Sequence, residues 1–400
     1  MVTTRRYCGD VTLVAHRRRW PAALVPRTSP VPRAYVLGPH SARSGLADFA
    51  AGRVATRMPY AAEHLADAGF EVEYSSPYDV AWLWRSDRLL QPLGGRLQKW
   101  FGRPVLEPWL ALVQARRPDV FISFFEDNAQ ALGQALRWAP WLRPRTTVLV
   151  VCWLAERCQL ASAKERREML AHLQKFDRLV VFSSNQVRVL RELGVDEHRI
   201  SVARLGVAAP PEAAGRTLSA EGGPAPWALS VGSDAGRDYA TLAAALRRTD
   251  VPCLVGAPAA SVEHLVMPVG FRWLGLVDAE RFHELMRASS FVVVPSRPLA
   301  YPTGQSLLLA AMAAGKACIV SDSPAIRDYV SDEVAVLIPA GNAEALAEAM
   351  TRLAADPARC RRLGAAARRH WEASFTPTSM WSDIAALLPD RDAMSRAAGR

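Results

Sequence analysis

The apolar positions of the chain fall into short β-branched runs separated by amphipathic stretches. Ala34-Tyr35-Val36-Leu37, Phe70–Tyr74, Asp119–Ser123, Thr147–Trp153, Arg178–Phe182 and Ile200–Ala203 have the length and composition of strands, most of them apolar enough for burial on both faces. Between them, Met58–Gly69, a small-residue stretch ending near Trp138, Ala163–Lys175 and Gln186–Leu193 carry helical spacing, and two of these close at glycines, Gly69 and Gly194. After Gly206 the pattern stops. Residues 207–225 are Pro, Gly and Ala without periodicity, which is linker composition. The alternation then restarts with strands at Trp227–Gly232, Pro252–Val255, Phe271–Leu274 and Phe291–Val294, and helices at Tyr239–Arg248 and Ala279–Arg287. Three helices close the chain, at Ala343–Ala354, Ala358–Trp371 and Ser379–Leu388. Two successive βα series predict an α/β protein with two Rossmann-like, doubly wound domains. The boundaries follow: a basic arm over 1–32, a first domain over 33–206, a linker over 207–225, a second domain over 226–375, and a C-terminal helix and tail over 376–400 that pack back toward the first domain.

The segment Pro295–Asp322 concentrates the chemistry. A strand ends there, a loop follows, and Gly304-Gln305-Ser306 open a helix that leads into a further strand at Ala317–Ser321. Free backbone N–H groups and the positive end of a helix dipole then face the C-terminal edge of a parallel sheet, where an anion docks. Ordinary helix capping by small polar residues reads the same way. Glu126, with Asp127 and Asn128, stands just beyond a strand end, where ligands bind in open α/β sheets and where helix caps also occur. His40, past the first strand, fits either an active-site residue or a surface histidine. The first strand-to-helix turn lacks GxGxxG, so a dinucleotide fingerprint is absent.

Composition narrows the partners. At 400 residues, 50% apolar and 22% charged, the chain reads as an ordinary folded protein. Its net charge of +10 is concentrated in the first forty residues, which hold seven arginines against one acid, Asp10. Such an arm suits an anionic membrane surface or a merely solvated tail, and no nucleic-acid signature accompanies it. Residues 79–117 interleave Trp82, Trp84, Trp100, Phe101 and Trp109 with arginines, which fits a membrane-surface or acceptor-gripping helix, or plain core packing. The longest apolar runs have eight residues, against about 18 for a bilayer span. A cytoplasmic protein, soluble or peripheral on the inner face of the membrane, is expected. The six cysteines and eight histidines show no metal-ligand spacing, so neither a metal nor another cofactor is expected.

Four pieces in order, VGSDAGRDYATLAAAL, FRWLGLVDAERFHELMRASSFVVVPS, TGQSLLLAAMAAGKACIVSDSPAIRDYV and VAVLIPAGNAEALAEAM, resemble the nucleotide-binding domain of GT-B glycosyltransferases of the retaining family 4 type (glycosyl transferases group 1). The first half is more loosely similar to that family's acceptor domain, through RPDVFISF and DRLVVFSSNQVRVLRELGVDEHRISVARLGV. The resemblance implies two domains facing across a cleft, a nucleoside-diphosphate sugar (UDP- or GDP-linked) as donor, and a glycan, glycolipid or small-molecule acceptor. It implies a diphosphate contact at Gly232, Ser233 and Arg237, backbone donors at Gly304, Gln305 and Ser306 with Ser296 beside them, and a nucleobase pocket at Gly275, Leu276 and Val277. Arg237, Glu126 and Glu156 become the candidate catalytic residues, Arg237 to offset charge on the leaving diphosphate and Glu156 near the place of a family histidine represented here by Cys152 or Trp153.

Two departures are plain. The family's paired glutamates fall at Pro302 and Ala310, although a subgroup carries GQS in place of the first. The second normally accepts hydrogen bonds from the donor ribose, and losing such a charge-assisted bond costs roughly 1.5–3 kcal/mol. The competing expectation is therefore a degenerate, non-catalytic homologue that binds a nucleotide or glycan, or serves a true transferase as a partner subunit.

Overall fold

The structure, a computed structural model, describes residues 31–76, 79, 106–211 and 226–389. The arginine-rich arm, most of the aromatic and basic segment, most of the linker and the last residues lie outside these.

The first domain holds β1 (Arg33–Leu37), α1 (Ala42–Ala50), β2 (Glu71–Ser75), α2 (Leu106–Ala115), β3 (Val120–Phe124), α3 (Ala129–Trp138), β4 (Thr146–Val151), α4 (Leu154–Leu160), α5 (Ala163–Leu173), β5 (Arg178–Val181), α6 (Ser184–Glu192) and β6 (Ile200–Val202). All strands are parallel, in the order β2-β1-β3-β4-β5-β6. The second domain holds β7 (Ala228–Val231), α7 (Tyr239–Ala245), β8 (Cys253–Gly256), β9 (Phe271–Gly275), α8 (Ala279–Ala288), β10 (Phe291–Val294), α9 (Gln305–Ala313), β11 (Cys318–Asp322), β12 (Val336–Pro339), α10 (Ala343–Ala355), α11 (Pro357–Ser374) and α12 (Pro377–Ala386). Its parallel sheet runs β12-β11-β10-β7-β8-β9. In both sheets the order reverses once, between β1 and β3 and between β7 and β10. Ligands of open α/β sheets bind at such reversals, outside the carboxyl ends of the strands.

Local chemistry explains most elements. The central strands β3, β4 and β10 are buried along their whole length, as β-branched runs covered by helices on both faces must be. Several helix starts are capped by side chains: Asp238 accepts from Thr241 N at 3.0 Å, Asp278 from Arg281 N at 2.8 Å, and Ser162 and Glu165 form a reciprocal capping box. α9 differs. Gly304 precedes it at φ +79° and no side chain caps it; Gln305 N donates to Pro302 O at 3.2 Å, which leaves the N–H groups of Gly304 and Ser306 available at the end of β10.

Three features depart from the pattern reading. Pro59–Ala68, expected as an α-helix, forms 3-10 turns with Tyr60 and Ala61 at φ +56° and +52°. A local and a tertiary set of contacts hold this segment: the Glu63 carboxylate accepts from Arg57 N and Met58 N just before it at 2.6 and 3.0 Å, and Tyr60 stacks on Phe124 and His40. α1 and α4 occupy segments whose apolar spacing announces no helix. α1 buries only Ala42, and its start is held by Asp79, which accepts from Ser41 Oγ at 2.6 Å and Ala42 N at 2.8 Å.

The chain crosses between the domains twice, before the linker and again at the end of α11. Val207 N donates to Phe375 O at 3.0 Å, and Trp371 Nε1 donates to Val207 O at 3.0 Å. α12 then lies against the 3-10 turns of the first domain, with Trp381 fully buried and its Nε1 donating to Tyr60 O at 2.9 Å.

Candidate active site

The reversal of each sheet opens on a common cleft of about 690 Å³. On the second domain's side β7 runs out into Gly232-Ser233-Asp234, and Arg237 pairs back against Ser296 beyond the end of β10. The Arg237 side chain is 7% exposed. Its Nη2 donates to Ser230 Oγ at 2.9 Å, while Nε and Nη1 are buried and have no partner. Two glycines make room for it. A Cβ at Gly232 would lie 3.1 Å from Arg237 Nε, and one at Gly304 would lie 2.5 Å from Nη1. A guanidinium with two unmatched N–H edges, boxed by backbone beside the N-terminus of α9, is arranged to receive an anion.

The predicted residues fall into three groups. Gly232, Ser233, Arg237, Gly304, Gln305 and Ser306 all line the cleft. Ser296 sits behind them, its N–H donating to Ser321 Oγ at 3.0 Å and its Oγ to Thr303 O at 3.2 Å, so it shapes the loop that leads to α9. Gly275, Leu276 and Val277 lie outside the lining. Gly275 takes φ +73°, Leu276 is largely exposed, and Val277 fills the space left by the missing side chain of Gly256.

Glu126 lies just under the floor. It is buried at the end of β3, Oε2 accepts from Cys152 N at 3.2 Å, and Oε1 is buried without a partner. Burial is the main influence on its carboxyl and raises its pKa above the usual carboxylate range, against the nearby positive charge of Arg157. Cys152 itself lines the cleft, and burial with the Glu126 charge pushes its thiol well above the ordinary value. Glu156 stands apart from the lining. Its Oε2 accepts from Ala300 N at 2.8 Å, and Asn185 Nδ2 donates to Ala300 O at 2.8 Å, so the first domain grips the Leu299–Pro302 loop of the second.

Other contributors gave little signal in the sequence. Asp234 accepts from Gly236 N at 2.7 Å, from Tyr301 Oη at 2.8 Å and, across the cleft, from Trp153 Nε1 at 3.1 Å. A Ser-Asp-Ala-Gly turn reads only as a local Asx turn, and its long-range partners are invisible in sequence. Phe125 holds φ +67° and sets its ring 4.9 Å from Trp153 and 5.8 Å from Tyr60, forming an aromatic wall on the first domain's side with His40, whose pKa burial lowers. Strained backbone in a bulky residue at a cleft is retained where surrounding contacts over-determine it.

The segment that supplies most of this second-domain wall is similar to a known family. Residues 239–356 match the family of glycosyl transferases group 1. The matched stretch begins two residues after Arg237 and contains Gly275–Val277, Ser296 and Gly304–Ser306. No curated protein matches the chain. Among solved structures, the Anabaena protein HepE in complex with UDP-glucose is similar at 13% identity and a TM-score of 0.63, covering 89% of this chain and 99% of that one. Sucrose-phosphate synthase from Thermosynechococcus elongatus follows at 17% identity and 0.62, covering 89% and 98%. The lipopolysaccharide outer core galactosyltransferase WaaB is similar at 15% and 0.54, covering 88% and 98%. At these identities the likeness is one of fold: two α/β domains in the GT-B arrangement. Among the described residues no helix is long and apolar enough to cross a membrane.

Proposed function

We propose that the chain is a glycosyltransferase whose donor, a nucleoside-diphosphate sugar, lies against the second domain with its diphosphate on Arg237 and the start of α9. The observation that carries this reading is the buried Arg237 guanidinium, with two N–H groups unmatched and glycine backbone on either side. The match of residues 239–356 to glycosyl transferases group 1 supports it, as does a fold shared with a protein crystallised with UDP-glucose. Transfer breaks the bond between the sugar's anomeric carbon and the diphosphate oxygen and joins that carbon to an acceptor hydroxyl oxygen. The hydroxyl's proton leaves with the diphosphate. Charge that grows on the departing oxygen is met by the guanidinium and by the N–H groups of Gly304 and Ser306, donors already in place before reaction, while the Gln305 N–H donates to Pro302 O. Such an arrangement needs no metal to stabilise the leaving group. Retention of anomeric configuration belongs to the proposal through the family resemblance.

The aromatic wall of Phe125, Trp153 and Tyr60 faces the donor side, and we assign it to a glycan, glycolipid or small-molecule acceptor, since sugar faces pack on such rings. Glu126, buried beneath Cys152, holds that turn in place. Release of nucleoside diphosphate from UDP-glucose, UDP-galactose and GDP-mannose, with the chelator EDTA present, tests the reading. Wild type is expected to turn over one of these donors repeatedly, and Arg237→Met to lose at least about a hundredfold in rate, the cost of a charge-assisted contact made to the departing group. Equal rates in the two proteins would remove the assignment of Arg237.

A second reading has its own observation. Ala310 lines the cleft where the resemblance implies a ribose-binding glutamate, and Pro302 stands at the other glutamate position. A binding protein without turnover follows if the donor is held too weakly for reaction. Nucleotide binding without release of product in the same assay would favour it.

A further inference from the structure

Beyond its glycine loops and the Gln305-Ser306 start of α9, where Gln305 Oε1 is also buried without a partner, the second domain's described wall of the cleft is apolar with one polar group set in it. α8 contributes Phe282, His283 and Met286, and α9 contributes Leu307 and Ala310. Among these described residues only His283 carries a side chain able to form a strong hydrogen bond. Its Nδ1 is buried and has no partner. Phe282 meets the ring edge-on at 5.5 Å between centroids. An unpaired polar nitrogen in a wall of this kind destabilises the empty protein, and a ligand group that pairs with it removes the penalty. Burial, helped by the positive charge of Arg287, lowers the His283 pKa below its usual value. The ring is then neutral at physiological pH and offers one donor and one acceptor nitrogen, a match for a hydroxyl, which also both donates and accepts.

The position selects which hydroxyl. An anion held by Arg237 leaves the remainder of its nucleotide to run along the same domain, over Leu307, Ala310, Met286 and Phe282. A nucleoside has apolar ring faces and hydroxyl edges, and this wall has apolar side chains around a single imidazole. We propose that His283 determines recognition of the nucleoside half of the donor by hydrogen-bonding a ribose hydroxyl, while the apolar side chains beside it pack on the nucleoside faces. This rests on the donor-site reading above. It assigns the ribose contact to a residue on α8, across from the alanine at position 310.

The test is calorimetric titration of wild type, His283→Ala and His283→Gln. UDP, GDP and ADP first identify the nucleotide that binds tightest; its 2′-deoxy and 3′-deoxy forms and inorganic pyrophosphate are then compared. His283→Ala is expected to weaken the nucleoside diphosphate about three- to tenfold. It should leave pyrophosphate unchanged and abolish the wild type's preference for the ribonucleotide over one of the deoxy forms. His283→Gln, which retains a donor and an acceptor, should restore part of that preference. Unchanged nucleotide affinity in His283→Ala, or an equal loss for nucleotide and pyrophosphate, would overturn the assignment while leaving the diphosphate site standing. Wild-type protein that binds no nucleoside diphosphate would overturn both.

Discussion

Glu126 shows how one residue at the floor of the cleft couples chemistry to stability. Its carboxyl is buried, satisfied at Oε2 by Cys152 N and unmatched at Oε1, and burial raises its pKa above the ordinary carboxylate range. The folded chain therefore holds this proton more tightly than the unfolded chain. Below the unfolded value, about 4.3, the group's contribution is fully present; as pH rises toward and through the raised folded value, that contribution is lost. Glu126→Gln keeps an oxygen that accepts from Cys152 N and removes the ionisation. The melting temperature of the Gln variant relative to wild type is expected to climb from about pH 4 to about pH 7 by a few degrees. A difference that stays constant over that range would contradict the buried-carboxyl account. At this scale the sequence was partly legible. Gly304 and Gln305 stood out because small polar residues opening a helix after a strand end carry local meaning, and Arg237 came only through the family resemblance. The positive φ of Phe125 and the cross-cleft partners of Asp234 did not, because each depends on residues distant in sequence that only the fold brings near.

Between elements, the cleft is held by contacts to a short loop. Glu156 on α4 and Asn185 on α6 bind the two sides of the Ala300 peptide group, and Trp153 reaches Asp234. Leu299–Pro302 leads directly into Gly304 and α9, so its position sets where the helix's free N–H groups point. Removing both grips with Glu156→Ala and Asn185→Ala should speed amide hydrogen exchange at Ala300 and Tyr301 on the order of tenfold, with global stability little changed. Exchange at wild-type rates there would show that the loop is held from elsewhere. The β-branched strands were readable from sequence because each run states its own burial. The 3-10 turns at Pro59–Ala68 were not: helical spacing alone favours an α-helix there, and the contacts of Tyr60 with Trp381, Phe124 and His40 come from outside the run. Glu156 was singled out through the family resemblance, near the place of a histidine, and in the structure it binds the Leu299–Pro302 loop from α4 rather than lining the cleft.

For the whole molecule, the arrangement is two parallel sheets whose reversals face one cleft, with an unmatched buried guanidinium on one wall and aromatic rings on the other. The two-domain α/β order was evident from alternation, and what alternation could not supply was how the cleft walls meet. A buried charge without an ion partner lowers the stability of the empty protein; even whole buried ion pairs are often replaced by apolar side chains neutrally or with a gain of about 1–4 kcal/mol. Function and stability thus pull in opposite directions at Arg237. One thermal-shift experiment reads both: wild type and Arg237→Met, each alone and with saturating UDP, GDP or ADP. Ligand at about 100 times its dissociation constant adds about 2.7 kcal/mol, a rise of a few degrees. The account predicts that the empty Met variant melts at or above wild type, that wild type rises with at least one of the three nucleotides, and that the variant does not respond. A variant that gains the same shift as wild type, or a wild type that responds to none of the three, would contradict it.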